Sequence, residues 1–232
     1  MAEQEVVMAQ IINVNMLTKF YGKNENRVKV LNGISFHIEE GDFWAIHGES
    51  GSGKSTLLNI LAGFEKPDEG EVMIGTTNIT HLSESQKAKF RKKNIGFVFQ
   101  QYHLVPELTA LENVMFPLIL NKVSARTARK KAQEMLSYVG INKNTDKLPE
   151  EYSGGQNQRI SIARALISNP KIVFADEPTG NLDSCNSEKI MSLLDGINKD
   201  FNTTILMVTH SEKERAYAGK VMEVKDGRIL DE

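Results

Sequence analysis

Gly48-Glu49-Ser50-Gly51-Ser52-Gly53-Lys54-Ser55 lies between an apolar run, Phe43-Trp44-Ala45-Ile46-His47, and a stretch of helical character from Ser55 to Ala62. The eight residues fit the pattern GxxxxGK[ST] in the strand, loop and helix setting that gives the pattern meaning. The residue types follow from what such a loop must hold. Glycines let the backbone curl so that successive N–H groups converge, and the helix that follows adds the positive end of its dipole. A nucleotide phosphate chain suits that cradle. In this reading Gly48, Ser50, Gly51, Ser52 and Gly53 present the backbone, Lys54 reaches the β and γ phosphates, and the Ser55 hydroxyl ligates Mg²⁺, with Thr56 beside it. Glu49 is an anion in the same loop, and its side chain is expected to point away.

A second motif supplies acid. Lys171-Ile172-Val173-Phe174-Ala175-Asp176-Glu177 is an apolar strand ending in two carboxylates. Asp176 can hold Mg²⁺ through its water shell, and Glu177 can face a nucleophilic water. Many core strands also end in Asp as a turn residue. Beside the loop, the strand takes on the pairing that phosphate-loop enzymes use.

The rest of the chain alternates strand and helix, which predicts an α/β fold. Strands are expected at Ile11 to Phe20, Ile34 to Ile38, Phe43 to His47, Glu71 to Ile74, Ile95 to Phe99, Ile172 to Asp176, Thr204 to Val208 and Val221 to Lys225. Helices are expected at Ser55 to Ala62, at Ser83 to Lys92 with a Ser83–Gln86 capping box, and at Ser124 to Val139 ending at Gly140. Between Tyr102 and Ser168 only helical patterns occur: Thr109 to Leu120, Ser124 to Val139 and Gln158 to Ser168. One domain is predicted, 1–232, with a core lobe of 1–101 and 169–232 and an inserted helical lobe of 102–168.

A chain of 232 residues buries roughly seven tenths of its unfolded surface, enough for a core without staples. Its net charge of −2 disfavours a basic nucleic-acid binder. One cysteine, Cys185, excludes an internal disulfide and a multi-cysteine zinc site, and fits a reducing, cytoplasmic compartment. The longest apolar run, Val114 to Leu120, is far short of the about 20 residues a membrane span needs. It contains Pro117 and reads as part of a buried helix. Met1 to Gln10 carries Glu3 and Glu5 and shows no signal-peptide pattern.

Tyr152-Ser153-Gly154-Gly155-Gln156 forms a Ser/Gly-rich turn ahead of a helix, either a second anion-binding device or a plain cap by Ser153. Followed by Asn157-Gln158-Arg159, it resembles the signature of ATP-binding cassette (ABC) ATPases. Further landmarks match that family in order. Tyr21 stands at the adenine-stacking aromatic, Gln100 at the glutamine loop, His210 at the switch histidine, and Gly180-Asn181-Leu182-Asp183 at the loop that crosses the dimer interface. Singly, Tyr21 could be a packing residue, Gln100 a surface amide and His210 a loop histidine; their joint order identifies the family. Tyr152 replaces the usual Leu, and Asn157 a commoner Gln or Lys.

The resemblance implies a phosphate-loop (RecA-like) core with an N-terminal antiparallel β subdomain and an inserted α-helical subdomain. It also implies a homodimer or pseudo-dimer around MgATP. Gly48 to Ser55 of one copy and Ser153, Gly154, Gly155 and Gln156 of the other would grip the nucleotide, with Asp183 nearby. Glu177 would orient the attacking water, His210 would steady the γ-phosphate, and Gln100 would touch Mg²⁺. Force would pass to a separate transmembrane permease, with Tyr102, Leu104, Val105 and Leu108 as contact candidates, placing the chain at the cytoplasmic face of the inner membrane. Gly96 to Gln101, Thr109 to Val114 and Ala175 to Asp183 resemble the ATPases of lipoprotein-release, macrolide-export, cell-division and antimicrobial-peptide-resistance systems. A nutrient importer is the alternative. DNA maintenance is the more distant one, because the span from Thr56 to Ser153 is too short for the coiled coil or zinc module such proteins carry.

Overall fold

The computed structural model describes residues 9–22 and 26–230. In chain order its elements are β1 (Gln10–Tyr21), β2 (Val28–Glu39), β3 (Phe43–His47), α1 (Lys54–Leu61), β4 (Glu69–Ile74), β5 (Thr77–Asn78), α2 (Glu84–Asn94) and β6 (Ile95–Val98). Then follow α3 (Ala110–Leu120), α4 (Ala125–Tyr138), α5 (Gly154–Leu166), β7 (Ile172–Asp176), α6 (Ser184–Phe201), β8 (Thr204–Val208), α7 (Glu212–Arg215), β9 (Lys220–Lys225) and β10 (Arg228–Leu230).

Two sheets organise the chain. One is antiparallel, in the order β2-β1-β4-β5; the other runs β10-β9-β3-β8-β7-β6 and is parallel from β9 to β6. Parallel strands covered on both faces must be apolar on both, and every residue of β8 is buried. Alternation then splits the core into two layers. Ile46, Phe174, Leu206 and Val208 face α1 and the antiparallel sheet, packing with Leu57, Leu58, Leu17 and Ile38. Ala45, Val173, Ile205 and Met207 face the helices, among Leu111, Val114, Leu136, Ile160 and Leu194.

Helix starts follow their caps. Ser83 with Gln86, Thr109 with Glu112 and Ser153 with Gln156 each close a reciprocal capping box, satisfying backbone donors that a helix N-terminus leaves free. Helix α5 begins at Gly154, four residues ahead of the Gln158 expected from periodicity. Glycine disfavours helix interiors, but here the Ser153 cap organises the first turn that contains the pair. Strand β6 stops at Val98 rather than Phe99, because the Phe99 carbonyl accepts from Tyr102 N at 3.3 Å and Gln158 Nε2 at 3.3 Å instead of extending the ladder.

Two features differ more from the sequence reading. Helix α6, 18 residues long, was not anticipated; it starts at an Asp183 cap and buries Ile190, Met191, Leu194 and Ile197, whose spacing is a helical stripe. The apolar run 114–120 is only half buried: Val114 and Leu118 face the core, whereas Phe116, Ile119 and Leu120 are 42%, 43% and 48% exposed. A helix presents a run of consecutive apolar residues to all sides, so part of it faces outward. Among the described residues no helix is long and apolar enough to cross a membrane.

Candidate active site

The parallel sheet sets neighbouring strand ends beside one another. Strand β3 leads into the Gly48–Ser55 loop, β8 follows it in the sheet, and β7 lies next to β8, ending at Asp176 opposite Val208. Ligand sites in such sheets form beyond the carboxyl ends of the strands. The Glu177 N–H donates to the Val208 carbonyl at 3.0 Å, and the Thr209 N–H to the Ile46 carbonyl at 3.1 Å, so the three strand ends are stitched together.

Glycine is required in the loop for space as well as for torsion. Gly48 adopts φ 151°, and a Cβ there would lie 2.1 Å from the Val224 carbonyl oxygen. Gly53, at φ 103°, would place one 2.7 Å from the Val30 carbonyl oxygen. Gly48→Ala should destabilise the fold by about 1–3 kcal/mol or more, read as a lower urea midpoint with an unchanged slope. The Ser52 carbonyl accepts from Gly227 N at 3.2 Å, so the β9–β10 turn braces the loop from behind.

The loop surrounds a cleft of about 560 Å³ lined by Ser50 to Thr56 (Ser52 aside), Val30, Glu177 and His210. Lys54 is buried and turned back on its own loop, donating from Nζ to the carbonyls of Gly48 at 2.8 Å and Glu49 at 2.7 Å. Burial pulls its ammonium below the ordinary lysine range, against the opposing pull of Glu177 and Asp176. Glu49 is exposed and lies outside the residues lining the cleft. Ser55 Oγ donates to Asp176 Oδ1 at 3.1 Å. His210 Nδ1 stands 3.1 Å from Glu177 Oε1, and Glu177 holds a left-handed φ of 45°, uncommon for a residue with a side chain.

Burial pushes the Asp176 carboxyl above the usual range; the Ser55 hydrogen bond and Lys54 counteract this, while the Glu177 charge adds to it. A carboxyl whose folded-state pKa is raised binds its proton more tightly in the folded protein. Its ionised form therefore lowers stability as pH rises through the raised value, and has no effect well below the ordinary value of about 3.9. Asp176→Asn should raise the melting temperature of the nucleotide-free protein at neutral pH, and the gap from the parent should close as pH falls towards about 4.

The remaining candidates, Tyr21, Gln100, Ser153 to Gln156 and Asp183, do not line this cleft. The Tyr21 hydroxyl donates to Glu65 Oε2 at 2.5 Å, beside Thr56, and Lys19 Nζ lies 5.5 Å from the ring centre. The Gln100 side-chain amide is packed against Gly180, where a Cβ would meet its Nε2 at 2.6 Å, and the Gln100 backbone carbonyl accepts from Asn181 Nδ2 at 3.0 Å. Gln100 is thus tied to the turn after Glu177 and is not among the residues lining the cleft. Ser153 to Gln156 also lie outside that lining; Gly155 packs against Asn186, whose N–H donates to Asp183 Oδ1 at 2.8 Å. That bond holds the Asp183 carboxyl below the usual range.

Sequence reading missed several supporting residues. Gln158, fully buried, donates from Nε2 to the Pro178 carbonyl at 2.6 Å, coupling α5 to the turn after Glu177. Arg164 donates to the carbonyls of Tyr102 at 2.8 Å and His103 at 2.5 Å, whose φ angles are 58° and 47°. Gln158 and Arg164 are both polar residues of a helix whose buried face carries Ile160, Ile162, Ala163 and Leu166. Phe64, 48% exposed, stacks edge-on against Phe97 with ring centres 5.2 Å apart.

The site's own features fit a Mg²⁺ nucleotide. Among the described residues Ser52 Oγ is buried without a partner and a Cβ on Gly51 would meet nothing within 4 Å, and Ser55 with Asp176 offers the hard oxygen atoms that Mg²⁺ prefers.

Comparison with known proteins agrees with this chemistry. Residues 31–180 match the family model described as ABC transporter, and the chain belongs to that family. It is 47% identical over 95% of its length to an uncharacterised ABC transporter ATP-binding protein of Methanocaldococcus jannaschii, covering 98% of that protein. Identity is 44% to the lipoprotein-releasing system ATP-binding protein LolD of Geobacter metallireducens, covering 96% of this chain and 99% of LolD. It is 42% to the bacitracin export ATP-binding protein BceA of Halalkalibacterium halodurans, covering 94% and 87%. The ATP-binding cassette MJ0796, solved as a dimer in a post-hydrolysis state bound to ADP and Pi, superposes with a TM-score of 0.88 at 41% identity, covering 95% of this chain and 97% of that one. The chain is an ABC ATPase, the ATP-binding subunit of a transporter, with a phosphate-loop α/β fold carrying an antiparallel β subdomain and helices.

Proposed function

We propose that two copies of this chain, or this chain and a related one, close around MgATP and drive a separate membrane permease in export or in force transmission. The observation that carries the reading is a division of the site. The cleft is built from one side by the Lys54 loop, Glu177 and His210, whereas the Ser153-capped start of α5 lies outside it. A second copy placing that helix start over the cleft would supply the missing N–H donors and a positive helix end.

In this mechanism Lys54 releases the Gly48 and Glu49 carbonyls and turns to the outer phosphates. Ser55 and Asp176 would hold Mg²⁺, which neutralises charge developing on the phosphate oxygens. Glu177 orients the attacking water and takes up its proton, and His210, 3.1 Å from Glu177, steadies that pair. Gln100 reports site occupancy to the helical lobe (102–168) through its contact with Gly180. Loss of the γ-phosphate removes what joins the copies, and the dimer opens. Tyr102, Leu104, Val105 and Leu108 are the candidate permease contacts. They lie in a half-buried segment whose backbone is held by Arg164 and Asn113. Export is favoured over import by the likeness to LolD and BceA, and the permease would hold the chain at the cytoplasmic membrane face.

Mixing two inactive variants tests the shared site. Lys54→Ala and Ser153→Arg should each be inactive alone, and their mixture should regain part of the ATPase activity, because a mixed dimer contains one intact pair of half-sites. A mixture as inactive as its components overturns the dimeric site. Co-purification of a membrane protein with the tagged chain from native membranes tests the permease.

A further inference from the structure

We infer that Glu214, on the short helix α7, is a positioning residue that fixes Glu177 and His210 relative to one another. Its carboxylate receives two hydroxyl donors from two different segments. Thr209 Oγ1 donates to Glu214 Oε2 at 2.6 Å, and Thr179 Oγ1 donates to Glu214 Oε1. Both threonines are buried, 2% and 4% exposed, where an unpaired hydroxyl is costly. Thr209 immediately precedes His210, and Thr179 stands two residues after Glu177.

The surrounding bonds make this a brace. The Ser211 N–H donates to Thr209 Oγ1 at 3.0 Å, and Gly180 N donates to the Glu177 carbonyl at 3.0 Å, so each threonine belongs to a closed turn. Glu177 sits at φ 45°, a conformation that persists only where neighbouring structure imposes it. Tyr217 and Ala218, just past α7, pack against the helical-side core and anchor the short helix. Glu214 itself is not among the residues lining the cleft, so it acts through the two turns.

The inference rests on the reading of Glu177 as the water-orienting acid. Steady-state ATPase kinetics of the purified protein test it. Glu214→Ala should lower kcat about ten- to hundredfold, the scale of a misplaced catalytic group, with KM for MgATP within about twofold of the parent. Glu214→Gln should restore most of kcat, because its amide can accept from one threonine and donate to the other. If Glu214→Ala does not fold, Thr179→Val and Thr209→Val should each lower kcat at constant KM, and the pair should lose less than the product of the two single effects. Unchanged kcat in Glu214→Ala, or equal impairment of the Ala and Gln variants, overturns the brace. So does unchanged kcat in both valine variants. An inactive Glu177→Gln beside a fully active Glu214→Ala sinks this inference alone, whereas undiminished hydrolysis in Glu177→Gln sinks the reading beneath it.

Discussion

Glu177→Gln should lose ATP turnover by about 10²–10⁴-fold, the usual contribution of a positioned general base, while still binding MgATP. The amide is the same shape as the carboxylate, so its place beside His210 Nδ1, 3.1 Å away, and the backbone bond from residue 177 to Val208 are kept. What disappears is the acceptor for the water's proton. Removing that charge also relieves one of the influences raising the Asp176 carboxyl, which favours the ionised form that Mg²⁺ needs. The variant should therefore accumulate as a nucleotide-dependent dimer, seen as a doubled mass in size-exclusion chromatography with MgATP and not without it. Hydrolysis at the parental rate would refute the role of Glu177.

Lys54→Ala should weaken nucleotide binding by on the order of 10²–10⁴-fold. Two charge-assisted hydrogen bonds to phosphate are each worth about 1.5–3 kcal/mol, and every 1.4 kcal/mol is about tenfold in Kd. Among the described residues Lys54 is the one lysine or arginine lining the cleft, beside two carboxylates whose charges both act on it, so without it no cationic side chain described there offsets them. Titration with a fluorescent ATP analogue measures the effect, and an unchanged Kd would count against the loop assignment. Alanine also removes the bonds to the Gly48 and Glu49 carbonyls, so a lower melting temperature of the free protein is expected alongside.

The parts of the site that could be read directly were those whose chemistry demands particular residues in a row. A phosphate cradle needs Gly51, Gly53, Lys54 and Ser55 in order, and a strand presenting two acids at its end is written as Ile172 to Glu177. Capping chemistry was equally local, as Ser83 with Gln86 shows. Contacts between distant segments carry no such mark. Glu214 meets Thr179 from 35 residues away, and nothing local distinguishes it from the exposed acids around it. Gln158 is one of several polar residues in its helix, yet its amide ties α5 to the turn after Glu177. Helix α6 opens on Asp183, a residue that the family resemblance sets in an interface loop and that also caps the helix.

Strand β3 has a further consequence for how the protein comes into being. Both of its neighbours, β8 and β9, begin more than 150 residues downstream of it, and the turn that supports Ser52 is at Gly227. While the ribosome is still making the C-terminal segment, the phosphate-binding segment has been synthesised but has no sheet to stand in. Pairings this remote in sequence form late. Truncation ahead of Val221 should thus abolish nucleotide binding at a loop more than 160 residues upstream, and a nascent chain should stay unable to grip ATP until β8 and β9 have been synthesised.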